Sequence, residues 1–298
     1  MVSTNRDEAT AARSSTTAVW GIQRGDERMQ FQLALDASDF TEKAILDNYN
    51  ARSFYESDVS MLMINVLRSG DVVFDVGANC GYFSVLAASL VGPRGRVVAM
   101  EPAPSCLARL KANLQRNALA NVSVVEKVVT DSAGETIFHL NRDNSGGHAL
   151  WNPGEWPDNN LTRANPASLS IAATTLDAEW KSRALDVPKV IKIDTEGAEE
   201  RVLRGAQALV SDCKVPFVVA ELHEFGLQKL GSTQASLRAL MENFGYSTFS
   251  LYFSGAMPKF VPRGCEIRCP FFINILFSTP ERIAEYWPIA AVDPRSPL

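Results

Sequence analysis

Four stretches of the chain end an apolar run in residues able to do chemistry. Asp75-Val76-Gly77-Ala78-Asn79-Cys80-Gly81-Tyr82 follows Val72-Val73-Phe74 and leads into another apolar run. It reads as a strand turning into a helix, with glycine where the backbone bends and where a ligand must come close. Its G-x-x-x-G spacing is not the G-x-G-x-x-G of dinucleotide sites, and an acidic strand end repels a pyrophosphate while attracting a cation. Glu101-Pro102 ends the next run, where a carboxylate can accept hydrogen bonds from both hydroxyls of a ribose. Lys192-Ile193-Asp194-Thr195-Glu196-Gly197 and Glu221-Leu222-His223-Glu224 end two more.

S-adenosylmethionine satisfies these conditions, because it carries an adenosine, a sulfonium and an ammonium but no phosphate. Asp75 attracts it, and the turn through Gly77, Ala78, Asn79, Gly81 and Tyr82 takes its carboxylate on backbone amides and the Asn79 side chain. Glu101 and Pro102 take the ribose, Lys127 and Val128 lie beside the adenine, and Asp194 closes the site from the next strand end. Glu101 alone would also suit NAD, but a dehydrogenase needs the pyrophosphate cradle that Asp75 disfavours.

Methyl transfer to a hydroxyl is helped by a base that takes the proton as the new bond forms. Asp194 and Glu196 lead as base or acceptor-orienting group. His223 and His148 are the histidine candidates, suited to proton transfer near neutrality without tuning. Glu199 and Glu200 read instead as first-turn acids stabilising a helix N-terminus. Trp151 and Trp156 offer flat faces to a sugar or macrocycle, and Glu221 joins them on the acceptor side. Asp194, Glu221 and His223 could also be arranged around a divalent cation. No diagnostic ligand spacing accompanies them, so no metal ligand is assigned and the option stays open. Transfer to nitrogen, or a protein that binds the cofactor without chemistry, are the competing functions.

The elements that must position these groups alternate strand and helix. Strands are expected at Val72–Val76, Arg96–Glu101, Val122–Glu126, Val190–Asp194 and Phe217–Leu222, with helices from about Gly81 to Val91, from Pro104 to Ala118, and from the fourth strand through Val210. Two late runs, Tyr246–Phe253 and Phe271–Phe277, suit a closing antiparallel pair on an otherwise parallel sheet. The fold class is therefore α/β, a Rossmann-like, mostly parallel sheet with an antiparallel C-terminal strand and a helical N-terminal extension. Residues 1–17 are expected to be mobile or to pack only in an oligomer, and 18–70 to form a cap with helices near Asp39–Asn48 and Ser57–Arg68. Residues 71–280 form the main domain and 281–298 a tail. The alternation stops between Thr130 and Thr175, where 141–169 reads as a substrate lid.

At this point the sequence resembles the FkbM family of S-adenosylmethionine-dependent methyltransferases. FDVGANCGYFSVLAA at 74–88, MEPAPSCLARLKANLQRN at 100–117, TLD at 175–177 and IKIDTEGAEERVLRGA at 191–206 match its pattern in order. The resemblance implies a class I methyltransferase fold and, for many members, methylation of a hydroxyl on a sugar or natural-product scaffold. It carries little into the first 50 residues or the 141–169 segment, where acceptor choice would reside.

Composition narrows the partners. A net charge of −5 over 298 residues gives no footprint for a phosphate backbone, so nucleic acid is not an expected partner. No run of about 20 apolar residues is present, and the N-terminus lacks a secretion signal's apolar core, so no membrane association and a cytoplasmic location are expected. The five cysteines are scattered and read as reduced thiols, with Cys265-x-x-x-Cys269 the one close pair. A small-molecule acceptor is the expected partner, and a homo-oligomer is left open.

Overall fold

The computed structural model describes residues 15–251, 257–268 and 272–287. It opens with a hairpin that the helical reading of the N-terminal cap missed. β1 (Ser15–Arg24) pairs antiparallel with β2 (Glu27–Asp36) from Ser15↔Asp36 to Arg24↔Glu27. Alternate residues Ala18, Trp20, Ile22 and Phe31, Leu33, Leu35 are buried, which is the two-residue period of a half-covered sheet. Residues 15–17, expected to be mobile or to pack only in an oligomer, are the first paired residues of β1, and residues 1–14 lie outside the described residues.

The expected helices follow as α1 (Phe40–Asn50), whose N-cap Asp39 accepts from Glu42 N at 3.0 Å, and α2 (Ser57–Val66). The hairpin is clamped to the body by aromatic rings. Trp20 stacks on Phe31 with centroids 5.0 Å apart, and both meet Tyr82 edge to face.

The alternating segment builds β3 (Val72–Val76), α3 (Tyr82–Val91), β4 (Arg96–Met100), α4 (Pro104–Arg116) and β5 (Val122–Val125). Next come β6 (Val128–Val129), β7 (Gly134–Leu140), α5 (Asn160–Ala164), β8 (Ala167–Thr174) and α6 (Leu176–Arg183). After β9 (Val190–Ile193), the helix expected through Val210 is broken into α7 (Glu199–Arg204) and α8 (Gln207–Val210). The chain continues with β10 (Phe217–Leu222), α9 (Glu224–Lys229), α10 (Gln234–Asn243), β11 (Ser247–Ser250), β12 (Lys259–Val261), β13 (Ile273–Ser278) and α11 (Pro280–Tyr286).

The main sheet has the order β12-β11-β13-β10-β9-β3-β4-β5. Its β10-β9-β3-β4-β5 portion is parallel, and β13 runs antiparallel to both β10 and β11, which is the class I methyltransferase arrangement expected. Apolar side chains cover both faces, since a parallel sheet cannot leave one to water. Between residues 128 and 174, where no alternation was expected, β6, β8 and β7 form a small three-stranded sheet. Residues 252–253 and 271 of the two expected closing runs lie outside the described residues, as does Cys269. Cys80, Cys106 and Cys265 are free thiols. No helix among the described residues is long and apolar enough to cross a membrane.

Trp20 is fully buried at the centre of the hairpin clamp, so Trp20→Ala should lower stability by about 3–5 kcal/mol in urea unfolding. A loss below about 1 kcal/mol would mean that the hairpin does not pack on the body.

Candidate active site

The strand order reverses direction between β3 and β9, the place where open α/β sheets leave a crevice at their carboxyl ends. A cavity of about 760 Å³ lies there, within the size range of small-molecule sites. Its walls are the turn after β3, Glu101-Pro102, Lys127-Val128, the loop after β9, the end of β10, and parts of residues 40–57 and 138–159.

The turn after β3 is built differently from the expected anion cradle. Gly77, at φ 82°, lies so close to the end of β9 that a Cβ there would come 1.8 Å from the Asp194 carbonyl oxygen. The amides of Gly77 and Ala78 both donate to Met100 O, at 2.9 and 3.1 Å, and Gly81 N donates to Ala78 O at 2.8 Å. Asn79 N donates to Glu101 Oε2 at 2.8 Å, and Cys80 N donates to Asn79 Oδ1 at 2.5 Å. The turn's amides are therefore already spent within the protein.

Asp75 is corrected as a cofactor contact. It is fully buried beneath the turn, accepts from Ser84 Oγ at 2.5 Å and does not line the cavity. Gly81 is likewise corrected: it sits off the cavity, where a Cβ would meet Leu110 Cδ1 at 2.6 Å. Tyr82 reaches the cavity wall, but its hydroxyl accepts from Tyr55 N at 3.2 Å and lies 3.1 Å from Ser60 Oγ, tying α3 to the N-terminal cap.

Gly77, Ala78, Asn79, Glu101, Pro102, Lys127, Val128 and Asp194 do line the cavity. Glu101 is held rigidly, with Oε1 accepting from Ala103 N at 2.7 Å and Oε2 from Asn79 N. Burial pushes its pKa up to about 7, against the pull of those two amides. Lys127 turns its ammonium toward Glu179, 3.5 Å away.

The cavity is acidic where the ends of β9 and β10 reach it. One oxygen each from Asp194, Glu196 and Glu221 lies within 4.8 Å of the others. Lys192, only 2% exposed, donates to Asp194 Oδ2 at 2.7 Å and stands 4.5 Å from the Phe83 ring centroid. Burial alone would lower the pKa of this lysine, but Asp194, Glu56 and Asp75 together raise it, so it stays protonated. Burial, and then the charge of Asp194, pushes the Glu196 and Glu221 carboxyls well above the ordinary range. Glu56 rises to about 7 by burial, partly offset by Lys192.

The loop after β9 is locked from several sides. Glu199 Oε1 accepts from Thr195 N, Thr195 Oγ1 and Gly197 N, so this acid organises the loop rather than merely capping α7. Glu196 adopts the left-handed region at φ 57°, a costly conformation for a residue with a side chain. Trp151 Nε1 donates to Glu196 O at 2.6 Å, and Gly197 approaches so near Gly226 that a Cβ would lie 2.2 Å from its carbonyl carbon.

Both histidine candidates are corrected as bases by their hydrogen bonds. His223 caps α9 by accepting from Gly226 N on Nδ1 at 3.1 Å, and His148 Nδ1 accepts from Asn141 N at 2.8 Å. Each neutral ring must then carry its proton on Nε2, leaving no lone pair there for a substrate proton. His223 Nε2 lies 3.8 Å from Glu196 Oε2, and burial pushes the His148 pKa down to about 4.

Trp151 lines the cavity and also props its floor: it is largely buried, its indole nitrogen donates to Glu196 O, and its ring stacks near His223. Trp156 is half-buried on the cavity wall, 5.3 Å from the His223 ring. Two site residues escaped the sequence reading. Lys192 was visible as a cation inside the apolar run Val190–Ile193, but Glu56, on the α2 side, carries no sequence signal.

Known proteins resemble this chain. Residues 75–248 match the methyltransferase FkbM domain. The chain is 28% identical over 190 residues to the hexuronic acid methyltransferase AglP of Haloferax volcanii, covering 63% of this chain and 71% of that protein. It is 34% identical over 200 residues to the 31-O-demethyl-FK506 methyltransferase FkbM of Streptomyces tacrolimicus, covering 58% of this chain and 72% of the relative. A crystal structure of a methyltransferase FkbM from Methylobacillus flagellatus aligns with a TM-score of 0.43 at 16% identity, over 82% of this chain and 56% of that one. The family match spans more than half of the chain, from the turn after β3 through the strand ends that wall the cavity, and the chain belongs to the FkbM family of S-adenosylmethionine-dependent methyltransferases.

Proposed function

We propose that this chain methylates a hydroxyl of a sugar or natural-product acceptor. The observation that carries the reading is that Glu101 and the acidic cluster of Asp194, Glu196 and Glu221 share one cavity, so a bound nucleoside and a polar acceptor would meet within it. The residues fit S-adenosylmethionine: Glu101 is fixed by two amides yet faces the cavity, where its remaining lone pairs can take ribose hydroxyls, and Val128 offers an apolar wall for a base. That cofactor supplies an activated methyl, and its transfer forms an O–C bond, breaks a C–S bond and releases the hydroxyl proton.

The protein's part is alignment and charge. Asp194, braced by Lys192 and pressed against Gly77, stands where the donor half of the cavity meets the acceptor half. The acidic cluster orients the hydroxyl and balances the departing proton. Segment 141–169, with Trp156 on the wall, serves as the lid that excludes water. The relatives' names support this reading, since they specify a hexuronic acid and 31-O-demethyl-FK506 as what those enzymes act on. The excess of carboxylates at the acceptor end favours an amine acceptor as the second reading, and NMR of the product made with a 13C-methyl donor separates O-CH3 from N-CH3.

Two outcomes follow. Glu101→Gln should weaken binding of S-adenosylhomocysteine by about tenfold or more, as expected for losing a charge-assisted hydrogen bond. The ionised carboxylate is the better acceptor and its pKa stands at about 7, so wild-type affinity should fall between pH 8 and pH 6 while that of Glu101→Gln stays flat. Parallel pH profiles in calorimetry would remove Glu101 from the site. Secondly, Asp194→Asn should cut transfer from a labelled donor by about a hundredfold, whereas His223→Asn, which can still cap α9, should stay within about tenfold of wild type. The reverse ranking would restore His223 as the base.

A further inference from the structure

The acidic cluster holds more carboxylates than its surroundings need. Lys192 answers Asp194 with a direct ion pair, but Glu196 and Glu221 point an oxygen each into the same small volume. Carboxylates gathered this closely cannot all carry charge together unless a cation or protons sit among them. Glu221 is more than nine-tenths buried, lines the cavity, and its Oε2 receives no hydrogen bond among the described residues. A buried carboxylate oxygen without a donor is costly unless something positive is meant to sit against it. Glu196 meanwhile keeps its left-handed backbone only because Trp151 and the Gly197–Gly226 contact hold it there.

We propose that Asp194, Glu196 and Glu221 bind a hard divalent cation, Mg2+ or Mn2+, within the acceptor half of the cavity. The inference rests on the methyltransferase reading for its chemical use, but the site itself rests on geometry. Two oxygens on one Mg2+ can be separated by at most about 4.2 Å, twice the bond length, and on Ca2+ by about 5 Å. Oxygens within 4.8 Å of one another therefore close on such a cation through side-chain adjustment alone. The donors are all carboxylate oxygens, which suits hard cations over zinc or copper. His223 is not a ligand, because its Nε2 carries the ring proton while Nδ1 accepts from Gly226 N.

Three protein oxygens leave the cavity-facing positions of the cation to water and to the acceptor. An acceptor hydroxyl bound there is acidified, and a neighbouring hydroxyl or carboxylate of the acceptor can complete the coordination. With the cation in place the three side chains act as its ligands, and the hydroxyl proton leaves to water as the O–C bond forms and the C–S bond breaks. The acceptor class is thus a vicinal diol or hydroxy acid able to chelate.

The test is Mn2+ uptake by the full-length, chelator-stripped protein, followed by electron paramagnetic resonance and without any acceptor. Wild type should take up Mn2+, and Glu221→Gln and Glu196→Gln should each weaken uptake by about tenfold or more while S-adenosylhomocysteine still binds. Should Glu221→Gln not fold, Tb3+ luminescence sensitised by Trp156, lost on adding Mg2+ or Mn2+, reports the same site in the wild-type protein. S-adenosylhomocysteine binding without Mn2+ uptake, or uptake that both substitutions leave unchanged, overturns the cation site and leaves the methyltransferase reading standing. Failure of S-adenosylhomocysteine to bind is the separate result that strikes that reading.

Discussion

A buried ion pair organises this site. Lys192 emerges from the middle of an apolar strand with its ammonium 2.7 Å from Asp194, and Asp75, Glu56 and Asp194 all act on it. Such a pair seldom adds net stability, because removing both charges from water costs about as much as their attraction returns. Breaking it by removing one partner is far worse, and leaves an uncompensated charge. Its value here is positional: the lysine fixes the Asp194 side chain at the carboxyl end of β9 and makes a surrounding concentration of acids tolerable.

The rest of the local architecture accommodates that arrangement. Asp194 presses its carbonyl against Gly77, so the strand carrying the ion pair and the turn after β3 meet with no room for a side chain. Beyond Asp194 the chain must reverse at once, and it does so through Glu196 and Gly197 in left-handed conformations, held by Glu199 beneath, Trp151 at one side and Gly226 at the other. His223 belongs to the same brace, since its bond to Gly226 N fixes the start of α9 where Gly197 touches it. Glu199, Trp151 and His223 thus spend their polar atoms bracing the loop that carries Glu196.

The parallel sheet was legible because each of its strands, covered on both faces, reads as an uninterrupted apolar run such as Val72-Val73-Phe74 or Phe217-Val218-Val219. The hairpin is hard to read because Val19-Trp20-Gly21-Ile22 shows no polar alternation, only Gln30-Phe31-Gln32-Leu33 does, and the helix signals that follow dominate the region. The β6-β8-β7 sheet is half exposed and carries no such run. In the site, the residue types were legible and their commitments were not. Nothing local tells that the Gly77 and Ala78 amides serve Met100, or that Asp75 turns inward to Ser84, since each partner lies on another element. The histidines illustrate the same limit. Their chemistry depends on which ring nitrogen is already accepting a hydrogen bond, and that is a property of the fold.

A crystal structure with S-adenosylhomocysteine bound would show whether Glu101 reads the donor while Asp194 marks its boundary with the acceptor. Both ribose hydroxyls should lie on the Glu101 carboxylate, the adenine against Val128, and the sulfur facing the space between Asp194, Glu196 and Glu221. A ribose bound away from Glu101, or a sulfur pointing away from the acidic cluster, would contradict that arrangement.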